Sequence, residues 1–265
     1  FRMEILNYSK VSGSIVINRK KLPSWSDGEK KIRKELFSLF KNSPIPDDEL
    51  LTNIGLYIRR QDLSKILFKN ELYQKCLNVH GVIMEFGVHW GQSLALFESF
   101  RGIYEPHNFN RKIIGFDTFE GFPNVHDKDG ESLLASIGEY SVTDGYKDYL
   151  ERILDYHEFE SPISHMKKYE LVKGDVTVTI GKYLEEHPET IVSFAYFDLD
   201  LYQPTVACLE AIKNNITKGT VLGFDELNNK NFPGETLALK EVLGLNSIRI
   251  QHSQLVPDKS FIVIE

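Results

Sequence analysis

The stretch VIMEFGVHWGQS, residues 82–93, ends an apolar run in Glu85 and then sets Gly87 and Gly91 ahead of Ser93. Glycine lets a ligand approach the backbone closely. A carboxylate just before the glycines suits a cationic amino group better than a pyrophosphate. The spacing Glu-x-Gly-x-x-x-Gly is neither the Gly-x-Gly-x-x-Gly of dinucleotide turns nor a phosphate loop with its Gly-Lys-Ser/Thr. Four further apolar runs also end in acid. IIGFDTFEGFP offers Asp117, which could accept two hydrogen bonds from ribose hydroxyls or cap a helix. VKGDV offers Gly174 and Asp175, which could hold an adenine edge or make a turn. FDLDLYQPT supplies Asp198 and Asp200, and FDELNN supplies Asp225 and Glu226. Carboxylates crowded at neighbouring strand ends repel one another unless a cation joins them. An all-oxygen set selects a hard ion, Mg²⁺ or its substitutes Mn²⁺ and Ca²⁺. The alternative for these acids is a set of solvated helix caps.

Five consecutive strands ending in acid need an architecture that brings those ends together. After residue 80 the sequence alternates β-rich runs with helical segments. The runs are VIMEFGV, KIIGFDTF, YELVKGDV, VSFAYFDLD, TVLGFDEL, SIRIQHSQ and SFIVIE. The early ones are nearly continuous in apolar residues, as parallel strands buried on both faces are. LVPDK between the last two is too short for a parallel crossover. The expected fold is α/β: a Rossmann-like, seven-stranded, mostly parallel sheet with an antiparallel last strand, plus an N-terminal helical cap. Ligands in such sheets sit beyond the carboxyl ends of the strands, where the acids are.

Ahead of the sheet, residues 1–28 read as an arm containing the β-prone run GSIVIN. Residues 29–77 read as the cap, and 78–265 as the main domain. DGEKKIRKELFSLFKNS has the apolar spacing of an amphipathic helix with a basic face. SPIPDDELL leads into a helix, with Asp47 and Asp48 in its first turn. NIGLYIRRQDLSKILFKNELYQKCLNV reads as helical throughout, with a break near Asn70.

The whole chain has 265 residues, 42% of them hydrophobic, and a formal net charge of -7. That balance argues against a nucleic-acid partner, which needs a basic face. No apolar run reaches the ~20 residues of a membrane span. Cys76 and Cys208 lack metal-ligand spacing and read as reduced core residues. With no signal-peptide pattern, the expected location is the cytoplasm.

The order and wording of the motifs resemble those of the class I S-adenosylmethionine-dependent methyltransferases. Within them they resemble the macrocin O-methyltransferase (TylF/MycF-type) family, in the branch acting on nucleotide-linked deoxysugars. LYIRRQDLSKILFKNELY, IMEFGVHWGQS, IIGFDTFEGFP, VKGDVTVTI, YFDLDLYQPT, GFDE and FPGET carry the resemblance, from about residue 56 to 242. It implies that S-adenosylmethionine lies with its methionine end at Glu85, Gly87, Gly91 and Ser93. The ribose would meet Asp117 and Thr118, and the adenine Gly174 and Asp175. Asp198, Asp225 and Glu226 would hold Mg²⁺ or Mn²⁺. His89-Trp90 stands where family members often carry an aromatic-Arg pair, and Glu226 replaces a second Asp.

The reaction so implied is O-methylation of a sugar hydroxyl, on a nucleotide-linked deoxyhexose or heptose, by a homo-oligomeric enzyme. Asp198 and Glu120 are the expected catalytic residues, with His89 as a second candidate base. Arg59, Arg60 and Asp200 are expected to face the acceptor. NVHDKDGES, with His126 and Asp127, reads as a mobile lid. A catechol-like or antibiotic hydroxyl is the alternative acceptor. A nucleotide-binding protein without methyl transfer is the alternative class.

Overall fold

The computed structural model describes residues 26–132 and 134–265. Residues 1–25 of the expected arm, GSIVIN included, lie outside that range. A seven-stranded sheet forms the centre, in the order β3-β2-β1-β4-β5-β7-β6. Its strands are β1 (Val82–Phe86), β2 (Ile113–Asp117), β3 (Tyr169–Lys173), β4 (Val192–Phe197), β5 (Ile216–Phe224), β6 (Gln251–His252) and β7 (Ser260–Val263). The pairs among β1 to β5 are parallel. β7 runs antiparallel to both β5 and β6. All seven β-rich runs become strands, although SIRIQHSQ contributes only its Gln251–His252 pair.

Eight helices are described: α1 (Asp27–Lys41), α2 (Asp47–Leu50), α3 (Arg60–Cys76), α4 (Gln92–Tyr104), α5 (Tyr146–Glu160), α6 (Val176–Glu186), α7 (Tyr202–Ile212) and α8 (Gly234–Val242). Strand alternation divides the core between the two faces of the sheet. Ile83, Ile113, Phe194 and Val221 pack with Phe68 and Leu72 of α3, Leu94 and Phe97 of α4, and Leu150 and Leu154 of α5. Met84, Phe86, Ile114 and Leu222 point the other way, onto Val176 and Ile180 of α6, Cys208 and Leu209 of α7, and Leu239 of α8. Each fully buried side chain of this size contributes roughly 1.5–3 kcal/mol. Cys76 and Cys208 are free and buried, as the sequence indicated.

The cap region departs from its sequence reading in one respect. Its helical stretch is interrupted at Ile58 and Arg59, between a 3-10 turn at Ile54–Tyr57 and α3, and runs unbroken through Asn70. Asn70 makes a side-chain contact instead, accepting a hydrogen bond from the Tyr104 hydroxyl. Among the described residues no helix is long and apolar enough to cross a membrane.

Candidate active site

A cleft opens at the carboxyl edge of the sheet. Its floor and walls include Gly87, His89, Asp117, Thr118, Gly174, Asp175, Asp198 and Asp200. Parallel pairing of β3, β2, β1 and β4 places these strand ends side by side. Every crossover between parallel strands returns the chain to the same edge.

Glu85 lies beneath the cleft, 1% exposed. Burial pushes its carboxyl up to about 8, against the pull of nearby Ser93 and Lys69. Its Oε2 has no hydrogen-bond partner among the described residues. A buried acceptor left open in this way suits a ligand ammonium. Gly87 adopts φ +91°, and a Cβ there would lie 2.0 Å from the Asp198 carbonyl oxygen. Its bare backbone therefore lets β4 close on β1 while it also lines the cleft. Gly91 faces α5, where a Cβ would meet Leu150 Cδ1 at 2.3 Å. It is a packing glycine with a left-handed φ of +75° that starts α4.

Asp117 organises the loops around it. Its Oδ2 accepts from the Val88 and His89 amides at 2.7 and 2.8 Å, and its Oδ1 from Phe119 N at 2.6 Å. Thr118 donates to the Gly121 carbonyl at 2.7 Å, within its own turn. Asp175 caps α6 through Thr177 N at 2.9 Å and lines the cleft.

The acids after β4 and β5 lie close together, Asp200 buried and Asp198, Asp225 and Glu226 partly so. Burial, and then neighbouring Asp225, push the Asp198 carboxyl up to about 7. Asp200 lies well above its usual range for the same reasons, burial first and then Asp198, Glu235, Glu226 and Asp225. It also holds a positive φ of 61°, a strain typical of functional turns. Glu235, 0% exposed, accepts from Leu199 N at 3.2 Å and Glu226 N at 3.1 Å, tying the two strand ends together. Asp225 is paired: Lys259 Nζ meets its Oδ2 at 2.6 Å, and the Tyr196 hydroxyl donates to its Oδ1 at 2.8 Å. Lys69 lies 4.9 Å over the Tyr196 ring and acts on Glu85, Asp198 and Asp225 from below.

Several expected residues are not brought to this site. Glu120 points to solvent, 74% exposed, pairs with Lys173 at 2.8 Å and is not among the cleft-lining residues. Arg59 is engaged by Asp62 at 2.5 and 2.8 Å, and neither Arg59 nor Arg60 is among the cleft-lining residues. The NVHDKDGES segment is tied to α7. Asp129 accepts from Tyr202 N and His126 N at 2.5 and 2.6 Å, and Lys128 Nζ reaches the Tyr202 hydroxyl at 2.7 Å.

The sequence reading missed Tyr140, which lines the cleft near Asp200. It also missed Lys69, Lys259 and Glu235. Of these only Glu235 carried a signal, as the acid in FPGET.

No protein-family model matches the chain, and no curated protein matches it in sequence. Solved structures do match. The crystal structure of CalS11, described as a calicheamicin methyltransferase, shares 44% identity over 90% of this chain and 93% of that one, with a TM-score of 0.88. The chain belongs to the S-adenosylmethionine-dependent O-methyltransferases, in the nucleotide-sugar branch with CalS11. An apo structure of CalS11, there described as a TDP-rhamnose 3'-O-methyltransferase of calicheamicin biosynthesis, matches at 40% identity over 90% and 95% of the two chains, with a TM-score of 0.80. The O-methyltransferase NovP shares the fold at 16% identity over 76% and 79%, with a TM-score of 0.57.

Membership gives this O-methyltransferase its methyl donor, and the open Glu85 Oε2 fits the donor's ammonium. The metal needs its own test. Among the described residues no three His, Cys, Asp or Glu side chains are already arranged as a metal site. The acids fit a hard cation in charge and in oxygen chemistry. Asp225 already accepts from Tyr196 at one oxygen and from Lys259 at the other.

Proposed function

We propose that this O-methyltransferase methylates a hydroxyl of a nucleotide-linked sugar, a deoxyhexose such as TDP-rhamnose, with help from a divalent cation. The observation that carries the reading is Asp198. It faces the cleft from the end of β4, and its carboxyl is pushed up to about 7 by burial and by Asp225. A carboxylate that lines the cleft is placed to take the proton of a sugar hydroxyl. The CalS11 likeness supports the choice of acceptor class.

In this reading Glu85 takes the amino end of S-adenosylmethionine, and Asp117 and Asp175 flank its ribose and adenine. The acceptor hydroxyl lies in line with the sulfonium methyl. Its oxygen forms the new C–O bond while the S–CH₃ bond breaks and its electron pair stays on sulfur. Asp198 takes the hydroxyl proton. Tyr140 and Asp200 hold the sugar beside it. The ion would be held by Asp198 and Glu226, with Asp225 once freed, and would polarise and orient the acceptor oxygen. Mg²⁺ or Mn²⁺ is the expected species.

Self-association belongs to the same reading. Ile32, Phe37, Leu51 and Leu56 in the cap region are each at least 60% exposed, an apolar surface that suits a second copy. The acceptor is tested by incubating the enzyme and S-adenosylmethionine with TDP-rhamnose, free rhamnose and a catechol, and measuring S-adenosylhomocysteine release. Turnover of TDP-rhamnose alone is expected; preference for the catechol would replace the reading.

A further inference from the structure

A nucleotide-linked sugar brings an anionic diphosphate to a cleft lined by Asp198 and Asp200, and no lysine or arginine is among the described residues that line it. Carboxylates repel a phosphate as they repel one another. The diphosphate therefore needs a cation at the rim. The helix α3 reaches that rim. Its C-terminal end lies at the amino edge of the sheet, where Arg111, just before β2, donates to the Cys76 and Val79 carbonyls at 3.3 and 2.9 Å. Followed back toward Arg60, the helix climbs to the carboxyl edge. Lys69 marks the level of the strand ends: its Nζ is 4.9 Å from the ring centroid of Tyr196, the penultimate residue of β4. Lys65 is four residues nearer the N-terminus, on the same helix face and about 6 Å further out at the α-helical rise. That carries it past the strand ends, on the side where Asp198 stands.

Burial and Asp225 raise the Asp198 carboxyl, and three lysines pull the other way: Lys69, Lys259 and Lys65. Lys69 and Lys259 are 6% and 2% exposed. Lys65 is exposed and makes no hydrogen bond or ion pair with a described residue. Other cations of the region are taken: Lys173 by Glu120, Lys128 by Glu241 and Arg59 by Asp62. Arg60 is five residues from Lys65 and so on another face of α3.

We propose that Lys65 is the diphosphate anchor of the acceptor, its ammonium meeting the phosphate oxygens at the mouth of the cleft while the sugar reaches inward past Asp198. The proposal rests on the nucleotide-sugar reading above and adds the group that holds the acceptor's anion. Lysine binds phosphate as a point charge, and its flexible stem lets it follow the diphosphate. The contact is remote from the reacting atoms, so its loss weakens binding rather than the chemical step.

The test is calorimetric binding of TDP and of thymidine to the full chain with S-adenosylhomocysteine present. Wild type is compared with Lys65→Met, Lys65→Gln, Lys65→Arg, Lys75→Met at the far end of the same helix, and Lys230→Met, an exposed lysine in the loop after β5. Unchanged S-adenosylhomocysteine affinity shows that a variant is folded, and two neutral replacements guard against the loss of one. Lys65→Met and Lys65→Gln are expected to bind TDP about tenfold more weakly or worse, the loss of a charge-assisted contact. Lys65→Arg, Lys75→Met and Lys230→Met should stay near wild type, and thymidine binding should not change. With TDP-rhamnose the KM of the neutral Lys65 variants should rise by a similar factor, with kcat within about threefold. TDP affinity equal to wild type, or a loss at Lys230→Met instead, overturns the assignment and leaves the nucleotide-sugar reading standing. An equal loss for TDP and thymidine also overturns it, since Lys65 would then shape the site rather than hold charge. Wild type that binds neither TDP nor thymidine overturns both.

Discussion

Asp198 and Glu120 were both legible in the sequence as acids near the reaction, and the fold separates them. Asp198 ends β4 inside the cleft, whereas Glu120 lies on the outer side of its turn with Lys173. Replacing Asp198 with Asn should lower kcat by about 10²–10⁴-fold, the usual contribution of a positioned base. Calorimetry with S-adenosylhomocysteine should show affinity within a few fold of wild type. Glu120→Gln should keep kcat within about twofold, because exposed ion pairs contribute little; a large loss would return Glu120 to the mechanism. The strand-end acids could be read because apolar runs stop visibly at them. Lys69, Lys259 and Tyr140 could not. They reach the site from a helix, a hairpin and a loop distant in sequence, and a lysine or tyrosine there looks like any surface residue. At Gly91 a positive φ and the neighbouring α5 demand glycine as strictly as a ligand would.

At the scale of elements, α3 carries part of the core. Its Phe68, Leu72, Tyr73 and Cys76 are buried against the sheet and α4. Helical periodicity showed that α3 was a helix but not what it covered. Leu72→Ala should cost about 2–5 kcal/mol of stability, visible as a clear drop in Tm; a shift within error would mean that α3 is peripheral.

A second element-scale feature is the polar cluster between α4, α5 and β3. Arg101 and Lys168 pair with Glu158 there, and neither carboxylate oxygen of Glu98 has a hydrogen-bond partner among the described residues. Burial raises the Glu98 carboxyl to about 9 from 4.5. The folded state thus holds a proton that the unfolded state has lost over that range, and stability falls as pH rises. This contribution is fully present below about 4.5 and is lost by about 9. Glu98→Gln should therefore melt higher than wild type at pH 8 and close to it at pH 5. An unchanged difference between the two pH values would show that Glu98 ionises freely in the fold.

For the whole molecule, the alternation of buried strands and helices made the sheet legible, and LVPDK made the antiparallel end legible. What the sequence left open is charge balance in three dimensions. Glu85, Asp198, Asp200, Asp225, Glu226 and Glu235 converge on one edge, with Lys69 and Lys259 against them. Methyl donor and divalent ion would supply the missing positive charge. Chelation with EDTA should accordingly abolish turnover and added Mg²⁺ restore it, while the melting profile changes little because Lys259 holds Asp225 without metal. Full turnover in chelator, with elemental analysis showing metal-free protein, would place the whole reaction on Asp198.

The central claim is methyl transfer to the sugar of a nucleotide-linked deoxyhexose. Its most direct measurement is fragmentation mass spectrometry of TDP-rhamnose after incubation with enzyme, S-adenosylmethionine and Mg²⁺. The expected product is heavier by one CH₂, carried on the deoxyhexose fragment and not on the nucleoside or diphosphate, and absent with Asp198→Asn. An unmodified nucleotide sugar beside a methylated aromatic or finished glycoside acceptor would contradict the account.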